Sequence, residues 1–392
     1  MTNQYRQFLA FIIPSLQYGG AERVLSEIIN NLNRNKFDCC IISFVKKADN
    51  SFAFKNDIKQ YYLCSQDQFT SSHKLPVNSV AKIKIIYRLS RLIAGLPRNT
   101  ILVPFLARPT AAYTTIAQIF SPRRIFASMH TIESEYMKFN YQSDVQRRLE
   151  EFLLKIACRG SDKIIAASKG VKSDLINNFS VPATKIKVID NPVDLAKIYR
   201  MKAHTPIFKF ADLSTKTIFV HIGRLSVEKN HRLLIQAAAI LKDLALNFLI
   251  LIAGAGDQEM NIRGWIQDAN LQDRVIMLGS VNNPYALMNR ARALLLTSHY
   301  DSSPMVLKEA MASGTAVISV DCPHGPADIL KSGKYGMIVA PNDPNALANA
   351  MLSIANDDRL FVDLVQKGQK YVGRYDIGSI VDQWQELLLW VG

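Results

Sequence analysis

Two carboxylates eight positions apart, Asp301 and Glu309, bracket the stretch of this chain with the densest chemistry, Ser298–Gly314 (SHYDSSPMVLKEAMASG). The run before it, Ala293–Thr297 (ALLLT), is apolar and too short for a helix, so it reads as a buried strand. The segment is therefore strand, polar loop, helix N-terminus. In an open α/β sheet, ligands bind at that carboxyl end of the strands. Around the first turn the backbone N–H groups of Ser303, Met305 and Val306 lack helical partners and can hold ligand oxygens, whereas Pro304 has no N–H to give. Glu309 falls about one and a half turns into the helix, where it can reach the hydroxyls of a sugar-like ligand, while Asp301 stays in the loop. The competing expectation is an ordinary capped helix, with Asp301 or Ser302 as N-cap and Glu309 on a solvated face.

Further stretches have the same strand-then-loop form. In Phe219–Asn230 (FVHIGRLSVEKN) the strand delivers Gly223, and Arg224 and Lys229 stand five apart ahead of a helix. A glycine for close approach and two cations suit a diphosphate, Arg binding it bidentately and Lys as a point charge. Leu249–Asp257 (LILIAGAGD) ends a strand in a Gly-rich turn at Gly254, shaped to admit a base or ribose, and Val275–Val281 (VIMLGSV) ends at Leu278–Gly279, where main-chain groups can read a base edge. Asp321–Leu330 (DCPHGPADIL) shapes another carboxyl end. Near the N-terminus, Gly19–Gly20 separate a first strand from a first helix, which lets backbone approach a phosphate at the helix's positive end. His130, within SMHTIESEY, is the histidine placed where a first-half strand opens, although a lone histidine is more often packed or solvated. Surface-loop roles compete with each of these assignments.

The elements that must position these groups alternate strand and helix along the chain. Strands are expected at 8–15, 39–45, 101–105, 125–128, 163–167 and 185–189, then at 217–222, 247–253, 274–278, 293–297, 315–320 and 336–340. Helices fall between them, with three more at 344–356, 359–373 and 378–390. Residues 46–98 read as helices and loops projecting from the sheet. This alternation implies mostly parallel, doubly wound sheets in two Rossmann-like halves. The expected division is 1–190, a hinge at 191–216, a second domain at 217–377, and a final helix at 378–392 packing back toward the first.

At 392 residues the chain is long enough for two domains, and 20% charged residues mark it as globular. Its +14 charge is uneven: residues 1–190 hold 27 Lys/Arg against 14 Asp/Glu, residues 191–392 hold 20 against 19, and 68–132 hold nine bases and no acid. That field calls for an anionic partner. Nucleic acid is not expected, since neither stacking aromatics nor a helix-turn-helix pattern accompanies it. Lys82, Lys84, Arg88 and Arg91 interleave with Ile83, Ile85, Ile86, Tyr87, Leu89, Leu92 and Ile93 at helical spacing, as an amphipathic helix on an anionic membrane surface would, or as a solvated basic helix of its own domain. The five cysteines show no C-x-x-C spacing, favouring a reducing cytoplasm, and no histidine pair or Asp-x-Asp supports a metal site. No run of about 20 apolar residues is free of charge, and the N-terminal apolar patch reads as a strand rather than a signal peptide.

Gly-Gly after the first strand, G-R-L…E-K-N, and D-x₇-E ending in EAMASG, in that order, resemble the retaining nucleotide-sugar glycosyltransferases of the GT-B type, specifically glycosyltransferase family 4. The resemblance implies two Rossmann-like domains facing a central cleft, a UDP-sugar donor, and no metal or other cofactor. It implies that Arg224 and Lys229 hold the donor diphosphate, with Gly19 and Gly20 closing on it. Glu309 would bind the ribose hydroxyls, Asp301 with the amides of Ser303, Met305 and Val306 the transferred sugar, and His130 the sugar's far side. Gly223, Gly254, Leu278, Gly279, Ser302 and Pro304 complete the expected donor site. The family has Glu where Asp301 stands and often Gly where Ser302 stands. The DCPHGPADIL segment is similar to that of bacterial members building lipopolysaccharide, O-antigen or capsule, which implies a hexose or N-acetylhexosamine, a lipid-linked or lipopolysaccharide acceptor, and work at the inner face of the cytoplasmic membrane through residues 74–98. Sugar-nucleotide epimerases and phosphorylases share this architecture, and a non-catalytic basic membrane-binding module is the other alternative.

Overall fold

The computed structural model describes residues 6–16, 19–45, 54–64, 79–106, 108–204 and 216–389. Residues 74–78 of the basic stretch and 205–215 of the expected hinge lie outside the described residues. Two compact units result: residues 1–192 with 377–392, and residues 193–376.

The first unit runs β1 (Gln7–Ile13), α1 (Gly20–Asn31), β2 (Phe37–Val45), β3 (Lys59–Cys64), α2 (Ser79–Ala94), β4 (Ile101–Leu106), α3 (Arg108–Ala117), β5 (Arg124–Met129), α4 (Glu133–Asn140), α5 (Asp144–Gly160), β6 (Lys163–Ala166), α6 (Lys169–Phe179) and β7 (Ile186–Val188). All its strands pair in parallel, in the order β3-β2-β1-β4-β5-β6-β7. Strands covered on both faces read as unbroken apolar runs, which is why Leu9–Ile13 and Ile101–Phe105 are buried end to end.

The second unit runs α7 (Leu195–Lys202), β8 (Thr217–Ile222), α8 (His231–Asp243), β9 (Phe248–Ala253), α9 (Glu259–Asp268), β10 (Val275–Gly279), α10 (Pro284–Arg290), β11 (Ala293–Leu296), α11 (Met305–Ser313), β12 (Ala316–Val320), α12 (Pro326–Leu330), β13 (Met337–Val339), α13 (Pro344–Asn356) and α14 (Asp358–Val372). Its parallel sheet has the order β10-β9-β8-β11-β12-β13. The chain ends on α15 (Ile377–Leu388), which packs on α1 and groups with the first unit.

Three local expectations change. Residues 59–64, expected to project from the sheet, form its edge strand β3, paired in register with β2. The short helix α4 was not expected. Within the expected hinge, Leu195–Lys202 fold as α7, started by the Asp194 carboxylate accepting from the Lys197 amide at 2.8 Å, and this helix belongs to the second unit. Among the described residues no helix is long and apolar enough to cross a membrane.

Candidate active site

In each sheet the strand order reverses direction at one point, between β1 and β4 and between β8 and β11. Connections leave in opposite senses there, so a crevice opens at the strands' carboxyl ends. The second unit has its chemistry along that edge. Taken in spatial order, the carboxyl ends are Leu278–Gly279 on β10, Gly254 after β9, Gly223–Arg224 after β8, and Thr297–Asp301 after β11. Three strand spacings separate the first from the last, roughly 14–15 Å.

The strands bring Lys229 and Asp301 together, 72 residues apart in sequence, with Nζ 2.7 Å from Oδ2 and both side chains mostly buried. The Thr297 hydroxyl donates to the Lys229 carbonyl at 2.8 Å, and the His299 amide to the Glu228 carbonyl at 2.8 Å, tying the β8 loop to the β11 loop across the switch point. Arg224 differs: its side chain is 61% exposed and its guanidinium reaches Glu228 Oε1 at 2.9 Å. So each of the two cations meets a carboxylate. An exposed pair is worth little and exchanges partners easily.

Helix α11 begins at Met305 with Pro304 as N-cap and no capping side chain. The expectation that Asp301 or Ser302 caps it does not hold. By helix geometry the first-turn amides of Met305 and Val306 have no acceptor within the helix, which makes this end a place for oxygens of a ligand. Glu309 is buried rather than on a solvated face. Its neighbour Lys308 is fully buried, with Nζ 3.5 Å from the Ser303 hydroxyl and 4.1 Å from the centre of the Tyr375 ring. This holds the Ser302–Ser303 loop against the helix.

Backbone contacts explain two of the glycines. A Cβ on Gly254, which has φ +151, would run into the Gly223 carbonyl oxygen, so the β8 and β9 loops touch main chain to main chain. The Gly254 amide donates to the Gly279 carbonyl at 2.8 Å, so one main-chain group expected to read a base edge already has a partner, with its second lone pair left over. In the loop after β12, Gly325 packs on the Asp301 carbonyl, joining the DCPHGPADIL segment to the Ser298–Gly314 loop. Beneath Lys229 lie His221 and His231, both buried, rings 4.6 Å apart in an edge-to-face contact. Burial, reinforced by the neighbouring positive groups, pushes His231 down to about 4 and His221 well below its ordinary range. Both are neutral near pH 7, leaving Lys229 the local cation.

At the carboxyl end of the first sheet, Gly19 is the N-cap of α1, with no side-chain cap, and a Cβ on Gly20 would meet nothing within 4 Å. His130 ends β5 with Nε2 2.8 Å from the Ser128 hydroxyl and its ring centre 4.4 Å from that of Phe105, which stacks in turn on Trp384 of α15. Burial pushes His130 down to about 4, against a hydrogen bond to Asn191 that raises it. The ring is a neutral hydrogen-bonding group, its tautomer set by these partners. Sequence reasoning missed these supports, and it missed the ion cluster beside them. Arg108, at the start of α3, lies 2.9 Å from Glu133 and 3.4 Å from Glu150, with the rings of Tyr136 and Tyr141 over it at 5.0 and 5.9 Å. Burial, only partly offset by Arg108, raises Glu133 to about 7. Among the described residues no group of three His, Cys, Asp or Glu side chains is placed to hold a metal ion, and all five cysteines are buried and free.

The chain is similar to known proteins along most of its length. The model for Glycosyltransferase Family 4 matches residues 18–197, and that for Glycosyl transferases group 1 matches residues 205–371. A Campylobacter jejuni N-acetylgalactosamine-N,N'-diacetylbacillosaminyl-diphospho-undecaprenol 4-alpha-N-acetylgalactosaminyltransferase is 29% identical over 90% of this chain and 92% of its own. The lipopolysaccharide 1,6-galactosyltransferase of Escherichia coli K12 is 29% identical over 47% of this chain and 49% of its own. Among solved structures, Anabaena HepE in complex with UDP and glucose superposes with a TM-score of 0.78 at 19% identity, covering 99% of this chain and 100% of that one. A sucrose-phosphate synthase from Thermosynechococcus elongatus superposes at 0.80 with 18% identity over 97% and 98%.

Proposed function

Because the chain belongs to the GT-B glycosyltransferases, with a family 4 first half and a group 1 second half, we propose that it moves a hexose or N-acetylhexosamine from a UDP-sugar to a lipid-linked oligosaccharide or lipopolysaccharide acceptor, with retained anomeric configuration. The acceptor class follows the relatives, one named for an undecaprenol-diphosphate glycan and another for lipopolysaccharide. Such acceptors would place the enzyme at the inner face of the cytoplasmic membrane, held peripherally in part by residues 74–98.

One observation carries the reading. The row of carboxyl ends from Gly279 to Asp301 leads to Lys229 at the switch point and then to the uncapped start of α11. Read along that row, Leu278–Gly279 and Gly254 take the base and ribose side, Arg224 and Lys229 the diphosphate, and Asp301 with the Ser303, Met305 and Val306 amides the sugar. As the bond from sugar to phosphate lengthens, negative charge gathers on the diphosphate and positive charge on the sugar ring. Arg224, Lys229 and helix-terminal amides meet the first, and no metal is required in this scheme. The departing phosphate oxygen takes the acceptor's proton on the same face, so the acceptor oxygen replaces it with retention and no protein nucleophile is needed. Asp301 holds Lys229 until the donor's phosphates compete for it.

Incubation with a panel of UDP- and GDP-sugars and a short-chain polyprenyl-diphosphate sugar, with and without EDTA, tests this. Transfer from one UDP-sugar, α product from α donor, and rates unchanged by EDTA are expected. An epimerised donor without transfer, an inverted product or chelator-sensitive turnover would each remove the corresponding part.

A further inference from the structure

The outward face of α5 is built unlike a solvated helix face. Inward, Leu154, Ala157 and Cys158 pack into the first unit's core. On the opposite side Val145, Leu149 and Phe152, spaced i, i+4, i+7 and so in one stripe, are 76%, 55% and 59% exposed. Arg148, Lys155 and Arg159 form an exposed basic stripe beside it. Of the helix's acids, Glu150 turns inward to Arg108 at 3.4 Å and Glu151 is half-buried, while the exposed Asp144, one turn before Arg148, pairs with Arg147 at the first turn.

Helix α2 repeats the arrangement. It buries Ala81, Ile85, Leu89 and Ile93, while Val80, Ile83 and Tyr87 are exposed with Lys84 and Arg91 alongside. Helix α3 packs against both. Two helices of one layer thus present apolar stripes edged with bases.

We propose that the outward faces of α5 and α2 together form a footing that inserts into an anionic lipid bilayer, with Phe152 and Leu149 among its buried anchors. This rests on the membrane-linked acceptor of the proposed function but extends it to a helix outside the 74–98 region. Charge complementarity selects the occupant. A bilayer surface takes the apolar stripe at the boundary between headgroups and acyl chains and gives each Lys or Arg an anionic headgroup, their long stems reaching outward. A second copy meeting the same face would set Arg148, Lys155 and Arg159 against themselves. A nucleic acid would answer the bases and leave Phe152 in water.

The full chain is sedimented with phosphatidylglycerol-containing vesicles and with phosphatidylcholine vesicles at low and high salt. Uptake by the anionic vesicles is expected, weakening with salt, and the Leu149→Glu/Phe152→Glu variant should bind about tenfold less or weaker still, with an unchanged melting temperature. A Phe152→Trp variant should shift its fluorescence to the blue only with anionic vesicles. Undiminished binding of the double variant, or no blue shift, overturns the proposal. So does a wild-type dimer that the double variant abolishes without any vesicle uptake. Sugar transfer to a detergent-solubilised short-chain acceptor should be unchanged in the double variant. Donor turnover absent from wild type alongside normal vesicle uptake would sink the transferase reading and leave this one standing.

Discussion

The carboxyl ends of the two sheets share one topology and use charge in opposite ways. In the second unit Lys229–Asp301 and Arg224–Glu228 lie at the rim, in contacts that a diphosphate can replace. In the first, Arg108, Glu133 and Glu150 are locked in the interior under two tyrosine rings. Yet the first half carries nearly all the net charge and the second almost none. In the proposed reading the excess charge belongs to a surface that meets an anionic partner. The two rim cations sit among matching acids in the balanced half, as the proposed exchange of a carboxylate for a diphosphate would need.

Breaking the interior cluster should have the largest effect. Arg108→Leu leaves Glu133 buried and Glu150 half-buried without their cation, a loss of about 3–5 kcal/mol, seen as a melting temperature lower by on the order of 10 °C. A shift under about 2 °C would show the cluster to be no more than a surface pair. At the rim the loss should fall mainly on catalysis. Lys229→Ala is expected to lower kcat by about 10²–10³ and, since it strips the mostly buried Asp301 of its cation, to lower the melting temperature as well. Arg224→Ala should lower kcat by no more than that with little change in melting temperature, its side chain being largely in water. Near-normal turnover in both variants would end the diphosphate assignment.

The difference between the ends also separates what could be read in advance. The strands are legible where both faces are buried, as in Phe248–Ala253, since a run of apolar residues suffices. The edge strand Lys59–Cys64 is not: among the described residues its outer edge makes no ladder, KQYYLC begins with an exposed Lys59 and a half-buried Gln60, and its pairing with β2 is a tertiary fact. The short helix Glu133–Asn140 gets no cap from its own N-cap residue; the distant Asp174 carboxylate accepts from the Glu133 and Ser134 amides at 2.7 and 3.2 Å, so its start gives no local signal. The rim residues could be picked out because each lies in a strand-to-helix segment, Arg224 directly after Gly223. Their pairing, Lys229 with Asp301, becomes visible only when β8 and β11 are adjacent. Arg108, Glu133 and Glu150 stand on three helices in unremarkable contexts, and nothing short of the folded sheet brings them together. His130 was legible, but Ser128, Phe105, Trp384 and Asn191, which orient it, come from four separate places in the chain.

The glycines sharpen the comparison at smaller scale. Gly254→Ala should destabilise the second unit by on the order of 1–3 kcal/mol, since its methyl meets a backbone carbonyl that cannot move aside alone. Gly20→Ala meets open space, so its stability should be unchanged within about 0.5 kcal/mol. If backbone at the start of α1 approaches a ligand, turnover should nonetheless drop about tenfold or more, because a methyl there displaces the ligand and not the protein. Equal loss of stability and activity at Gly20 would reduce it to an ordinary helix start.

The last expected effect is one of pH and comes from the buried histidines. His130 and His231 titrate at about 4 in the folded chain, His221 is also held low, and all three return to ordinary values when unfolded. Below the ordinary histidine pKa the unfolded chain binds protons that the folded chain refuses. Their contribution is therefore complete above about pH 6.5 and is lost as pH falls toward 4. Glu133 acts in the opposite sense: with its folded value raised to about 7, its contribution is present in acid and fades as pH rises through 7. The melting temperature should then decline from pH 6.5 to 4.5, and Glu133→Gln should steepen that decline by removing the group that opposes it. A flat profile in wild type and variant alike would mean the histidines are not held neutral, and Lys229 would no longer be the local cation of the rim.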